Sequence, residues 1–117
     1  MRGPEGVNGM PEISGYELTA DAEEESDAHV RMRLYVSNKT PNSLAAFANA
    51  KKIFGERLKG RYSLEVIDIR KNPRAALEEG VIATPLLVRT FADPHRKRRK
   101  VVGTLSDTRK VLTGMGL

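Results

Sequence analysis

From Val30 onward the apolar residues of this chain fall into two periods. Met32, Leu34 and Val36 alternate with Arg31, Arg33 and Tyr35, which predicts a strand over Val30–Ser37. Leu44, Phe47, Ala50, Phe54 and Leu58 then recur at steps of three and four, the apolar stripe of a helix. Thr40 suits the N-cap, because its hydroxyl can accept a first-turn N–H. Pro41 suits the first helical position, where its missing N–H costs nothing. Gly55 weakens the helix by about 1 kcal/mol relative to Ala, and Lys59-Gly60 ends it. Tyr62–Ile69 reads as a second strand whose apolar end, Val66 to Ile69 around Asp68, fits burial on both faces. Asn72-Pro73 repeats the cap-plus-proline start, and a short helix runs to Glu79 before Gly80. Pro85–Phe91 and Lys100–Leu105 read as two more strands. Ser106 then caps a last helix through Leu112, terminated by Gly114 and Gly116.

The predicted order is β-α-β-α-β-β-α. The first β-α-β unit requires a parallel crossover, and the last two strands lie close enough for an antiparallel hairpin. Four strands with helices on both faces form a thioredoxin-like α/β arrangement. In that fold the proline opening the third strand is typically cis and faces the first strand-to-helix joint, so Pro85 is expected to be cis; an X–Pro bond is where a cis peptide costs little.

Composition then divides the chain. Residues 1–29 hold one basic residue against eight acidic, a net of −7, whereas residues 30–117 hold nineteen basic against seven acidic, a net of +12. The first segment is also rich in Gly and Pro and poor in large apolar residues, so residues 1–28 are expected to form a disordered acidic arm. Residues 30–117 are expected to form the one folded domain that 117 residues allow. Zero Cys excludes disulfides, thiol redox catalysis and Cys-based metal sites. The two histidines, His29 and His95, are far apart, so neither a metal nor another cofactor is expected. No apolar run approaches the roughly 18 residues of a membrane span, and the acidic N-terminus lacks the apolar core of a signal peptide. A cytoplasmic protein without a membrane partner is expected.

Chemistry has few footholds. Ser37, Thr40 and Ser43 lie at the first helix start, but no base stands near them in sequence to make a nucleophile. That helix N-terminus can hold an anion, so a cysteine-free thioredoxin-like ligand binder or enzyme, for instance one taking glutathione, is the alternative to a pure binding module. Capping is the favoured role of these hydroxyls. Asp68 is assigned a structural role, with a cation or a backbone N–H as its partner. His95-Arg-Lys-Arg-Arg-Lys100 contains five consecutive basic residues. Without interleaved aromatics for base stacking it is disfavoured as a nucleic-acid site and reads as a solvated turn.

Leu34-Tyr-Val, Thr40-Pro-Asn-Ser43, Val66-Ile-Asp68, Lys71-Asn-Pro73, Ala83-Thr-Pro85, Gly103-x-Leu-Ser and Lys110-Val-Leu-x-Gly114 together resemble the KaiB family, in the same order and at nearly the same spacing over residues 30–117. The resemblance implies a non-enzymatic clock or signalling regulator that binds KaiC, a hexameric RecA-like ATPase, and displaces a sensor kinase whose own domain is thioredoxin-like. It also implies fold switching between a partner-binding thioredoxin-like monomer and a tetrameric state with a rearranged C-terminal half, here roughly Arg74 to Leu117. By resemblance the partner surface covers about Arg61 to Glu79, with Arg61, Glu65, Arg70, Lys71 and Arg74 as contact residues and Arg89 beside them. Thr40, Pro41, Asp68, Pro73, Pro85, Gly103, Gly114 and Gly116 are the structural or switch positions. The turn before the last strand is about three residues longer and more basic than the family's, and the family's usual aromatic and acidic tail is absent. A predominantly monomeric thioredoxin-like state is therefore expected.

Overall fold

The computed structural model describes Tyr16–Thr19 and residues 29–117. A five-stranded sheet of order β1-β3-β2-β4-β5 forms the middle layer. Its strands are β1 (Tyr16–Thr19), β2 (Val30–Val36), β3 (Tyr62–Asp68), β4 (Leu86–Thr90) and β5 (Arg99–Val102). The helices are α1 (Pro41–Leu58), α2 (Pro73–Glu79) and α3 (Thr108–Met115). β2 and β3 are parallel, whereas β2–β4, β4–β5 and β1–β3 are antiparallel.

Strand parity decides the layers, because successive side chains point to opposite faces. Val30, Met32, Leu34, Val36, Leu64, Val66 and Leu87 pack under Ala46, Phe47, Ala50, Phe54 and Leu58 of α1 and Val111 and Met115 of α3. Tyr35, Ile67, Leu86 and Val88 form a smaller core on the opposite face, with Ala75 of α2 and Val81 packed against it. The predicted thioredoxin-like order is thus present from β2 to α3.

Several local expectations are corrected. Tyr16–Thr19 forms a strand on β3, so the expectation of a disordered arm over 1–28 fails at those four residues; the rest of the arm lies outside the described residues. Leu44 is exposed, and Ile53 joins the buried stripe of α1 instead. β5 runs from Arg99 to Val102, not to Leu105. Gly103 (φ +119) and Leu105 (φ +65) take the chain out of extended geometry, and Leu105 folds into the core. Asp107 rather than Ser106 caps α3, accepting from Lys110 N. Pro73 does open α2, but Asn72 makes no side-chain cap bond. α3 continues through Gly114, where a Cβ would stand 2.5 Å from Val101 Cγ2. The missing side chain is what lets α3 lie against β5, and Gly116 ends the helix.

Candidate functional site

The C-terminal ends of the parallel pair β2 and β3 come together in one compact joint. Thr40 Oγ1 accepts from Ser43 N at 3.3 Å and donates to Ser43 Oγ at 2.9 Å. Ser43 Oγ also accepts from Ser37 N at 3.2 Å. All three hydroxyl-bearing residues are thus engaged in capping and closing the turn. Asp68, 1% exposed, accepts from Asn38 N (3.2 Å) and Arg70 N (2.9 Å) on a single oxygen, Oδ1. Its own carbonyl takes Lys71 N and Asn72 N. The expected structural role of Asp68 is met by backbone N–H groups from two loops. The Thr84–Pro85 bond is cis, as the sequence predicted.

Because Asn38 and Arg70 share one acceptor atom, the loops carrying Lys39 and Arg70-Lys71 adjoin. Lys39, Arg70, Lys71 and Arg74 are all exposed there. This is the end of an α/β sheet where ligands and partners meet the fold, beyond the carboxyl ends of parallel strands. Leu77, one helical turn on from Arg74, is 82% exposed, and Ile82 after α2 is 98% exposed. Four exposed cations, with the bared Leu77 a helical turn from Arg74, offer an acidic protein face both charge and an apolar contact.

The other predicted contact residues separate from this group. Glu65 pairs with Arg33 at 3.3 Å near the middle of the sheet. Arg61 precedes β3, about 20 Å of strand away from Arg70, with its Nε on Leu58 O. Arg89 is not a surface contact at all. It is 7% exposed, donates from Nη1 to Met115 O at 2.8 Å and lies 4.6 Å over the Phe91 ring. The reason is parity: position 89 shares the face of Leu87, toward α3, where the guanidinium complements the carbonyl end of that helix.

A residue passed over in the sequence holds the other end of α2. The Glu79 side chain, 3% exposed, accepts from Arg98 Nη1 at 2.6 Å and stands 3.4 Å from Lys100 Nζ. Tyr35 Oη donates to it at 3.4 Å, and Lys100 Nζ donates to its backbone carbonyl at 3.1 Å. Position 79 ends a short polar helix with no apolar stripe, so no local signal marks it as buried. Leu77 and Ile82 likewise read as ordinary helix-end residues, and only the layer geometry shows them bare.

Burial pushes the Tyr35 phenol above its usual value of 10.0, opposed in part by the Arg33 guanidinium, and burial alone raises Tyr62. The folded protein therefore keeps protons that the unfolded chain releases. Their contribution to stability is whole below pH 10.0 and is lost as pH climbs through the raised values. Urea melts on either side of pH 10.0 are expected to show this alkaline loss, and Tyr35→Phe or Tyr62→Phe is expected to reduce it; a loss unchanged in both variants would assign it to other groups.

The basic run fills the end of the β4–β5 turn and enters β5 with Arg99 and Lys100. Arg98 and Lys100 turn to Glu79, and Arg96 lies 3.9 Å over Phe91. The one nearby aromatic ring thus carries two guanidinium groups, from Arg89 and Arg96. Among the described residues no group of three or more His, Asp or Glu is placed to hold a metal ion, and no helix is long and apolar enough to cross a membrane.

Residues 33–117 match the family model described as the KaiB domain. The chain is 44% identical over 86 residues to the circadian clock oscillator protein KaiB of Microcystis aeruginosa, covering 74% of this chain and 80% of that protein. It shows the same identity and coverage with its counterpart in Rippkaea orientalis. Among solved structures, the N-terminal domain of Synechococcus elongatus SasA superposes with a TM-score of 0.61 at 21% identity, covering 87% of this chain and 94% of that one. The Drosophila melanogaster thioredoxin Deadhead reaches 0.60 at 14% identity, with 77% and 81% covered. At these identities the two structures report on the fold alone, which is thioredoxin-like.

Proposed function

The chain belongs to the KaiB family of circadian clock proteins, and on that premise we propose that it is a non-enzymatic regulatory module that binds a KaiC-like hexameric ATPase and modulates its phosphorylation cycle. The observation that carries this reading is the end of β2 and β3, where Lys39, Arg70, Lys71 and Arg74 are exposed, with bared Leu77 one turn on from Arg74 and bared Ile82 following α2. Its cations steer an acidic partner face, and its apolar pair supplies the desolvated centre that holds it. Arg61 and Glu65 lie apart from this surface, before and within β3. A thioredoxin-like sensor kinase domain competes for the same ATPase surface, and the fold shared with the SasA N-terminal domain supports that competition. The binding state is the monomeric thioredoxin-like form. The family's rearranged tetramer is its alternative, with Arg74 to Leu117 as the part that changes packing.

Size-exclusion chromatography with the KaiC-like ATPase encoded in the same genome tests this. Wild type is expected to co-elute after long incubation. The triple change Arg70→Glu, Lys71→Glu, Arg74→Glu, or the pair Leu77→Ala, Ile82→Ala, is expected to weaken binding by about 30-fold or more. Absence of a complex with the wild-type chain after long incubation would overturn the reading.

A further inference from the structure

The outer edge of β3 is covered by β1 in antiparallel register. Tyr16 stands opposite Val66, Glu17 opposite Glu65, Leu18 opposite Leu64 and Thr19 opposite Ser63. β1 lies outside the segment shared with the family model, which begins at residue 33. Uncovered, that side of Ser63–Val66 would present a row of backbone N–H and C=O groups, a template for any extended chain.

Two features make β1 a weak cover. It has four residues against the seven of β3. It also sets Glu17 directly opposite Glu65. Like charges in directly opposed positions weaken an antiparallel pair by up to about five-fold in the pairing constant, an effect that the Arg33 guanidinium, 3.3 Å from Glu65 on the β2 side, lessens here. The flanking register positions face Val66 and Leu64, both fully buried on the α1 side of the sheet. An incoming strand is therefore selected for apolar residues there and for a cation between them.

We propose that β1 is a displaceable cap on β3, and that the edge beneath it receives an extended segment of a partner protein with a basic residue opposite Glu65 between two apolar residues. The segment runs antiparallel to Ser63–Val66 and binds chiefly through its main chain. The tethered strand competes at an effective concentration on the order of millimolar, so only a better matched or longer segment displaces it. A basic residue at that register position replaces an opposed like charge with an opposite one, and the remaining residues of β3 offer a longer segment further ladder bonds. A second copy of this chain is disfavoured, since its own β1 would bring Glu17 to the same place. The inference goes beyond the ATPase reading and stands or falls separately, because it concerns pairing at one sheet edge.

The probe is a fluorescein-labelled peptide of residues 14–20 carrying Glu17→Lys, titrated against the full-length chain and its variants. Glu17→Pro and Leu18→Pro remove neighbouring backbone N–H groups from β1, of which one faces β3. The better of these two variants is expected to bind the peptide about ten-fold more tightly than wild type, and the chain carrying Glu17→Lys about ten-fold more weakly. Hydrogen exchange at Ser63–Val66 is expected to quicken in the proline variant and slow again with peptide bound. Adding Glu65→Lys to the proline variant is expected to reverse the preference, so that the peptide with its natural Glu17 binds better. Equal affinities across the variants, or exchange at Ser63–Val66 unmoved by proline, would overturn the proposal. Concentration-dependent dimers of the proline variant would overturn the choice of a foreign segment and assign the edge to a second copy.

Discussion

Replacing Asp68 with alanine is expected to lower the free energy of unfolding by about 3 kcal/mol, because two backbone N–H groups lose a charged acceptor that no water can easily replace at a nearly closed site. Asn38 N and Arg70 N both end on Asp68 Oδ1. Hydrogen bonds to a charged group contribute roughly 1.5–3 kcal/mol each, and they do not add fully when they share one atom. For a domain of this size the loss amounts to a fall in Tm of about 15 °C, which calorimetry reads directly. Asp68→Asn keeps an oxygen where Oδ1 stands and loses mainly the charge, so its cost is expected to be nearer 1 kcal/mol. If the alanine and asparagine variants melt together, the shared acceptor is not what holds the joint. The functional consequence follows from position. Asp68 brings the Asn38-Lys39 and Arg70-Lys71 loops side by side, so under the proposed function the alanine variant is also expected to weaken the complex with a KaiC-like ATPase at temperatures where it remains folded.

Glu79→Ala is expected to cost about 2 kcal/mol. The carboxylate is almost fully enclosed, but its two cationic partners are not: the Arg98 and Lys100 side chains are 49% and 42% exposed. Removing one partner of a fully buried ion pair costs about 3–5 kcal/mol. Here the abandoned cations can turn to water, and the lasting damage is the buried Tyr35 hydroxyl left without its acceptor and α2 released from β5. Arg98→Ala is accordingly expected to cost about 1 kcal/mol or less. Denaturant melts order the two variants, and added salt is expected to narrow the gap between Glu79→Ala and wild type as the half-exposed pairs are screened. Equal losses in the Glu79 and Arg98 variants would mean that the ion pair alone, and not the enclosed carboxylate with Tyr35, carries the effect. Hydrogen exchange in β5 and α2 is expected to quicken together in Glu79→Ala, since Arg98 and Lys100 reach α2 only through that side chain and its carbonyl.

Most of the architecture was legible because it rests on local physics. The period-two run of β2, the three-and-four stripe of α1 and the Thr40–Pro41 cap are decided by residues a few positions apart, and the structure keeps them with ends shifted by a residue or two. The misses each have a tertiary cause. Leu44 is exposed because the buried stripe of α1 runs through Ser43, Ala46, Phe47, Ala50, Ile53, Phe54 and Leu58, and Leu44 sits at its edge. Asp107 displaces Ser106 as a cap because Gly103 and Leu105 first turn the chain away from β5. Arg89 belongs to a strand buried on both faces, so its charge is met by the end of α3 and not by a partner.

The candidate site divides in the same way. The sequence alone located the cations at 70, 71 and 74, the acidic excess before residue 29 and the basic excess after it, since charge is a property of residues and not of their arrangement. It also determined that no thiol chemistry is open to this chain. What only the tertiary structure decided is which of those charges meet. Sharing of Asp68 Oδ1 by two loops sets Lys39 beside Arg70. The parity of β5 sends Lys100 toward Glu79 while Arg99 lies beside Gly116 at the end of α3. Pairing of a four-residue strand from the acidic segment onto β3 sets position 17 opposite position 65 in register. These juxtapositions join residues about 17 to 48 positions apart, and a pleat sends the neighbours Arg99 and Lys100 to different partners. Chain closure fixes them, and no local pattern records it.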